Sequence, residues 1–245
     1  MFGHTRRPGF SDCAPSGRVR LDALARWIQD VAYDDVVEVG LERIAVWVAR
    51  RARIRVNRFP RFGEQVRLTT FCSGVGPMWA ERRIDIVCEG DSEATVSAGA
   101  APPAVEAVGL WVHLDPELGR PSPLTEAELA AYSGDQPLSR VRARLRHPLP
   151  PELDGGQRWS FRATECDVAG HVNNAAYWEP LEEELLAGED PGRIDVEMEF
   201  RAPAQPGAKR VIADGDRRWI LDVSGELHAS IVLLDGRSQG PPDGR

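Results

Sequence analysis

The densest cluster of chemistry-bearing residues in the sequence is Glu165-Cys166-Asp167-Val168-Ala169-Gly170-His171-Val172-Asn173-Asn174. It stands directly before a stretch that reads as a helix ending near Gly188. The start of a helix offers unpaired backbone N–H groups and the positive end of the macrodipole. That is a ready site for a carbonyl oxygen gaining negative charge. Asp167 and His171 bracket it. An aspartate can deprotonate or position a water, and a histidine can orient that water or protonate a leaving group. Ester or thioester hydrolysis requires those roles. On spacing alone a plainer reading carries more weight, in which Asn173 or Asn174 caps the helix and Asp167 is a turn residue.

The elements that must position these residues are legible in the apolar pattern. Leu21, Leu24, Ile28 and Val31, with Ala25 and Ala32, recur at helical spacing, and Gly40 is placed to stop that helix. Ala52, Ile54 and Val56 then alternate with Arg51, Arg53 and Arg55, giving a strand with one apolar and one arginine face. Turns at PRFGE and SGVGP separate it from strands over Val66–Cys72 and Ile84–Cys88, and Val108–Leu114 closes the set. Residues 116–157 are proline-rich, carry one short helical stretch near Thr125–Tyr132, and read as a surface linker. A helix followed by antiparallel strands is an α+β pattern.

After the linker the pattern repeats. Shifted by 153, Cys13, Gly17, Val19 and Ala23 fall on Cys166, Gly170, Val172 and Ala176; shifted by 120, residues 111–115 fall on 231–235. We therefore expect two copies of one module, at 1–115 and 158–238, joined by the linker and followed by a tail at 239–245. The first copy reads Ala14-Pro15-Ser16-Gly17-Arg18-Val19-Arg20-Leu21 at the candidate site, lacking both the acid and the histidine. Trp27, Trp47, Trp79, Trp111, Trp178 and Trp219 fall in or beside expected elements, where core packing is the commoner fate.

Composition excludes several classes. The net charge of −8 argues against general nucleic-acid binding, and no apolar run approaches the ~20 residues of a membrane helix. There is no secretory h-region, and Cys13, Cys72, Cys88 and Cys166 form neither a C-x-x-C pair nor a metal-like spacing with histidine. The expectation is a cytoplasmic protein without metal or cofactor. The charge is uneven. Eight arginines and a single acid, Glu64, lie between Arg43 and Arg67, which suggests a specific acidic partner.

The string Asp167-x-x-x-His171-Val172-Asn173-Asn174-x-x-Tyr177-Trp178 resembles the signature of the acyl-acyl carrier protein (ACP) thioesterases. Arg50, Arg51, the run Arg58-Phe59-Pro60-Arg61-Phe62-Gly63-Glu64 and the run Trp79-Ala80-Glu81-Arg82-Arg83 resemble that family's first-module strands. The resemblance spans about Arg18 to Asp235. It implies a double hotdog, with two long helices each wrapped by an antiparallel sheet, and hydrolysis of a fatty acyl-ACP thioester. It implies Asp167, His171 and Asn173 as catalytic residues, Asn174, Tyr177 and Trp178 as substrate-facing, and an acyl pocket formed largely by the first module. A monomer or a homodimer would suit it. Arg51, Arg53 and Arg55 are the candidate dock for the acidic carrier; Arg140, Arg142, Arg144 and Arg146 alternate in the same way. The plainer reading of the strip is a strand face paired with acids such as Glu81 and Asp85.

Two positions depart from the family pattern. Ala169 stands where an Asn is common, two residues after the acid, and Pro203 stands where a further acid falls in plant members. Asn173, Asn174, Glu165 and Glu199 are the candidates to replace them. Two other functions compete: an acyl-CoA thioesterase, and a catalytically impaired acyl-binding or regulatory hotdog protein.

Overall fold

A computed structural model describes residues 1–40, 46–90, 102–133, 138–151 and 155–234. The tail at 239–245 and most of the glycine- and alanine-rich stretch before Val105 lie outside the described residues. In the first half, β1 (Phe2–Arg6) precedes α1 (Leu21–Glu38), followed by β2 (Val46–Val56), β3 (Val66–Gly76), β4 (Trp79–Cys88) and β5 (Val105–Leu114). The connecting segment holds α2 (Glu126–Ser133) and the short β6 (Ser139–Arg140). In the second half, β7 (Gln157–Phe161) precedes α3 (Glu179–Ala187), then β8 (Ile194–Phe200), β9 (Gly207–Asp214), β10 (Arg217–Asp222) and β11 (Leu227–Leu233).

All the long strands join one antiparallel sheet, ordered β1-β3-β4-β5-β2-β8-β11-β10-β9-β7. Read outward from the β2–β8 pair, the two halves follow the same order. The seam runs from Arg51 opposite Glu199 to Val56 opposite Ile194. Ile54 and Val56 on β2, and Ile194, Val196, Met198 and Phe200 on β8, turn inward to one core. Strand alternation sends Arg51, Arg53 and Arg55, with Asp195, Glu197 and Glu199, to the outer face.

α1 and α3 pack on the inner face, and both feed the same core. α1 buries Leu21, Leu24, Trp27, Ile28 and Val31, and stops where Gly40 takes φ +72°. The expectation of two long helices meets a difference here: α1 has 18 residues and α3 has 9. Pro180 is the reason. It has no N–H to bond the carbonyl of Ala176, so residues 176–178 tighten into a 3₁₀ turn, with the Glu179 N–H bonded to that carbonyl instead. The α-helix proper begins with Pro180 in its first turn, where a proline is tolerated.

The connecting segment is a strap across the outer face. It starts beside β3, where Val141 N–H bonds Val75 O at 3.1 Å, and is held by Trp79 Nε1 on Val141 O at 3.0 Å. It then crosses the seam, where Arg146 and His147 N–H groups bond the Glu199 carboxylate at 2.5 and 3.1 Å. It ends under Trp219, whose Nε1 bonds Pro148 O at 2.9 Å. Trp27 and Trp178 are buried in the main core; Trp219 is buried in a smaller cluster on β9, β10 and β11. No described helix is long and apolar enough to cross a membrane.

At the seam, buried Asp195 accepts bonds from Arg53 Nε and Nη2 at 2.7 and 2.6 Å, and from Arg55 Nε at 2.9 Å. Burial pushes its carboxyl up, but the two arginines outweigh burial and hold it below the usual range. Asp195→Asn is expected to cost roughly 2 kcal/mol at neutral pH, the scale of lost charge-assisted bonds. Because the folded pKa is depressed, that contribution is present above the unfolded value and vanishes as pH falls through the folded one. Urea denaturation of both proteins across that range is the check: a gap that persists unchanged in acid would contradict this reading.

Candidate active site

The loop that carries Asp167 has a twin in the first half, bonded the same way at an offset of 153. Asp167 N–H bonds His171 O at 3.1 Å, as Ala14 N–H bonds Arg18 O at 2.8 Å. Gly170 N–H bonds Asp167 O at 3.0 Å, as Gly17 N–H bonds Ala14 O at 2.8 Å. Asn173 N–H bonds Glu165 O at 2.8 Å, as Arg20 N–H bonds Asp12 O at 2.9 Å. Gly170 and Gly17 close the two turns at φ +79° and +86°, a region an L side chain rarely enters. The backbone is duplicated; the side chains are not.

In the second copy the side chains converge on a carboxylate. Asp167 Oδ2 accepts Asn173 Nδ2 at 2.9 Å, and Oδ1 accepts the Ala169 N–H at 2.9 Å. The donor that an Asn side chain would supply at position 169 is thus replaced by the backbone there and by Asn173. Asn173 is itself fixed: its Oδ1 accepts Ala175 N–H at 2.8 Å, which obliges Nδ2 to face Asp167. The same Oδ1 accepts Gln29 Nε2 at 3.1 Å, so α1 of the first copy reaches into the site of the second. The N–H groups of Val168, His171 and Asn174 have no hydrogen-bond partner among the described residues.

The first copy is filled in by ion pairs. Arg18, at the position of His171, is 1% exposed and pairs with Glu182 at 2.9 Å and with Asp190. Glu182 stands 153 residues after Gln29, and its Oε2 accepts the Leu21 N–H at 2.9 Å. Leu21 corresponds to Asn174. The amide that a carboxylate covers in the first copy is therefore open in the second, because Gln29 turns to Asn173 instead.

Of the other residues expected at the site, half-buried His171 makes no side-chain hydrogen bond among the described residues, so among the hydrogen bonds of the loop it meets Asp167 through its backbone carbonyl alone. Tyr177 and Trp178 are buried in the core. The Tyr177 hydroxyl accepts the Ala204 N–H at 2.9 Å, while Val172 N–H bonds Ala204 O, so the tyrosine braces the loop from behind. Glu199 lies on the outer face under the strap, and Glu165 is held by Arg162. Neither replaces an acid at the site. Arg51, Arg53 and Arg55 pair with Glu197 and Asp195 across the seam, rather than with Glu81 and Asp85. A cleft of about 270 Å³ lies beside α1 in the first copy, lined by Trp27, Val31 and Leu68 with His4, Arg6, Asp30 and Asp34. Gln29 was missed by sequence reasoning; the offset of 153 that aligns it with Glu182 is the signal that finds it.

The acyl-ACP thioesterase N-terminal domain is matched over residues 9–132, half of the chain. The chain belongs to the acyl-ACP thioesterase family. As a member, it hydrolyses fatty acyl-ACP thioesters. An uncharacterized protein of Mycobacterium tuberculosis is 24% identical over 195 residues, covering 78% of this chain and 72% of the relative. An acyl-ACP thioesterase from Bacteroides thetaiotaomicron superposes with a TM-score of 0.78 at 16% identity, over 95% of this chain and 96% of that one. The 12:0-ACP thioesterase of Umbellularia californica gives 0.69 at 16% identity over 95% of each chain. These likenesses establish the hotdog fold.

One further group, at the start of α3 of this thioesterase, titrates near neutrality. Half-buried Glu179 has its carboxyl pushed up to about 7, first by burial and then by the nearby Glu165 and Asp22 charges. A raised folded pKa means that the folded state holds the proton more tightly. Its contribution to stability is complete below about pH 4.5, the unfolded value, and is lost as pH rises through 7. Glu179→Gln is expected to remove this loss, leaving the variant more stable than wild type above about pH 8. Denaturant midpoints measured across that range decide it; an unchanged pH slope in the variant would refute the assignment.

Proposed function

We propose that the second-copy loop is the active site and that Asp167 drives attack of water on the thioester carbonyl. The observation that carries this reading is the pair of opened groups there: an oriented carboxylate, and an uncovered Asn174 N–H at the start of the second helical segment. Asp167 accepts a proton from the attacking water, whose oxygen bonds to the carbonyl carbon. The carbonyl oxygen gains charge against the Asn174 amide, a preorganised donor. The carbon–sulfur bond then breaks and the carrier thiol leaves, with His171 at the loop surface as its proton donor. Asn173 and Gln29 act through Asp167, as positioning residues. The fatty acyl chain leaves as the free acid.

Asp167→Asn is expected to lower kcat by about 100-fold or more, the scale of a lost general base. Thiol release from a C8 to C18 acyl-ACP panel is the measurement. Full activity in the variant would end the assignment. Asn173→Ala and Gln29→Ala are expected to lower kcat more than they raise KM. A purely structural role would reduce the amount of folded enzyme and leave kcat per folded molecule unchanged.

Carrier docking belongs to the outer face in this reading. Arg51, Arg53 and Arg55 are already engaged by Glu197 and Asp195, whereas Arg140, Arg142 and Arg144 on the strap are exposed and form no ion pair among the described residues. An acidic carrier meets those strap arginines without displacing an internal partner. The double substitution Arg142→Glu/Arg144→Glu is expected to raise KM for acyl-ACP severalfold while leaving a short soluble acyl thioester unaffected. Equal effects on both substrates would contradict it.

A further inference from the structure

The hairpin between β10 and β11 carries a second constellation that the acyl-ACP reaction does not use. Asp222 ends β10, the turn passes through Gly225 at φ +91°, and β11 starts at Leu227. Asp222 Oδ1 accepts three bonds, from Ser224 N–H at 2.9 Å, Ser224 Oγ at 2.7 Å and Glu226 N–H at 2.9 Å. All three donors fall on one oxygen, which leaves Oδ2 open.

His228 completes the group. The β10–β11 register slips between Ile220, opposite Ala229, and Leu221, opposite Leu227. His228 is the extra residue of that bulge, a device that re-aims a side chain. It is 4% exposed, and its Nε2 is buried with no hydrogen-bond partner among the described residues. Its Nδ1 faces Ala202 O at 3.4 Å. A proton on Nδ1 toward that carbonyl leaves the lone pair on Nε2, the arrangement seen behind metal-binding histidines. One ligand atom each from Asp222, Glu226 and His228 lies within 4.8 Å of the others.

A water would satisfy the imidazole but leave two carboxylates facing each other. A cation satisfies all three. Lys209, opposite Asp222 in the β9–β10 register, does not fill that role: it forms no ion pair with Asp222 and directs Nζ to Ala208 O at 3.4 Å. We propose that Asp222, Glu226 and His228 bind one divalent transition-metal ion of the zinc class, with water completing its coordination. One nitrogen and two carboxylate donors suit that class better than calcium or magnesium, which prefer oxygen throughout. The motif Asp-x-x-x-Glu-x-His is visible in the sequence, but a search built on cysteine and histidine spacing passes over it. The ion would tie the end of β10 and the turn to the start of β11.

The test is calorimetric titration of the chelator-treated full chain with Zn²⁺, alongside thermal unfolding. Wild type is expected to bind one Zn²⁺ per chain, with a Tm that rises on addition and falls back with EDTA. Glu226 is exposed and its side chain forms no bond among the described residues. Glu226→Gln should therefore keep the metal-free Tm while weakening Zn²⁺ binding by about tenfold or more. His228→Gln should weaken it further, and thioesterase activity should not depend on the ion. No binding, binding only in the millimolar range, or equal affinity in wild type, Glu226→Gln and His228→Gln would each overturn the proposal.

Discussion

The pairing of β2 with β8 is the constraint on which the rest of the structure depends. Backbone pairing there fuses two five-stranded halves into one sheet. The fused sheet sets α1 and the second helical segment against each other on its inner face. Only in that arrangement can a residue on one helix reach the start of the other, as Gln29 reaches Asn173 and Glu182 reaches the Leu21 amide. The seam is strengthened on its outer face by Arg51, Arg53 and Arg55 against Glu197 and Asp195. Asp195 is buried, so these contacts count for more than an exposed pair would. The proposed active site is thus assembled across the two copies, although its loop belongs to one.

From a duplicated backbone, two kinds of site have been made. In the first copy Ala14 stands where the acid would be, and Arg18, Glu182 and Asp190 fill the space with a buried ion network. Breaking such a network by removing one partner leaves a buried charge exposed to a poor environment, so it holds the helices together firmly. At the second-copy site the equivalent positions are His171 and, reaching in from α1, Gln29, and neither forms an ion pair among the described residues. There the helix start keeps an open amide and an oriented carboxylate. One loop is closed by ion pairs, and its twin is the proposed site of the chemistry.

Much of this was legible in the sequence where a local pattern had a local cause. The period of Leu21, Leu24, Ile28 and Val31 gave α1, and alternation gave the inner and outer faces of β2. The capping pair Thr125 and Glu128, joined at 2.6 Å by the Thr125 N–H, matches the short helix expected near Thr125. What alternation could not give was the neighbour. A strand pattern shows which side an arginine faces, but not that the acids opposite it come from residues 140 to 146 positions away. β1 reads Phe-Gly-His-Thr-Arg, too polar and short to signal a strand, and takes its place as the edge partner of β3. The short α3 follows from Pro180, whose oddity in a helix was visible but whose consequence depended on where the helix began. Asp167, Asn173 and Asn174 were readable from spacing before a helix, whereas Gln29 required the offset between the copies. Tyr177 and Trp178 belong to the same string, yet their positions in the helical turn send them into the core.

The most direct test of the account is a crystal structure of the protein with a non-hydrolysable amide analogue of an acyl-pantetheine. The account predicts the amide carbonyl oxygen within hydrogen-bond reach of the Asn174 N–H, its carbon beside the Asp167 carboxylate, and the first-copy loop around Arg18 and Leu21 empty of ligand. A carbonyl seated at the first-copy loop, or held away from both Asp167 and Asn174, would contradict it.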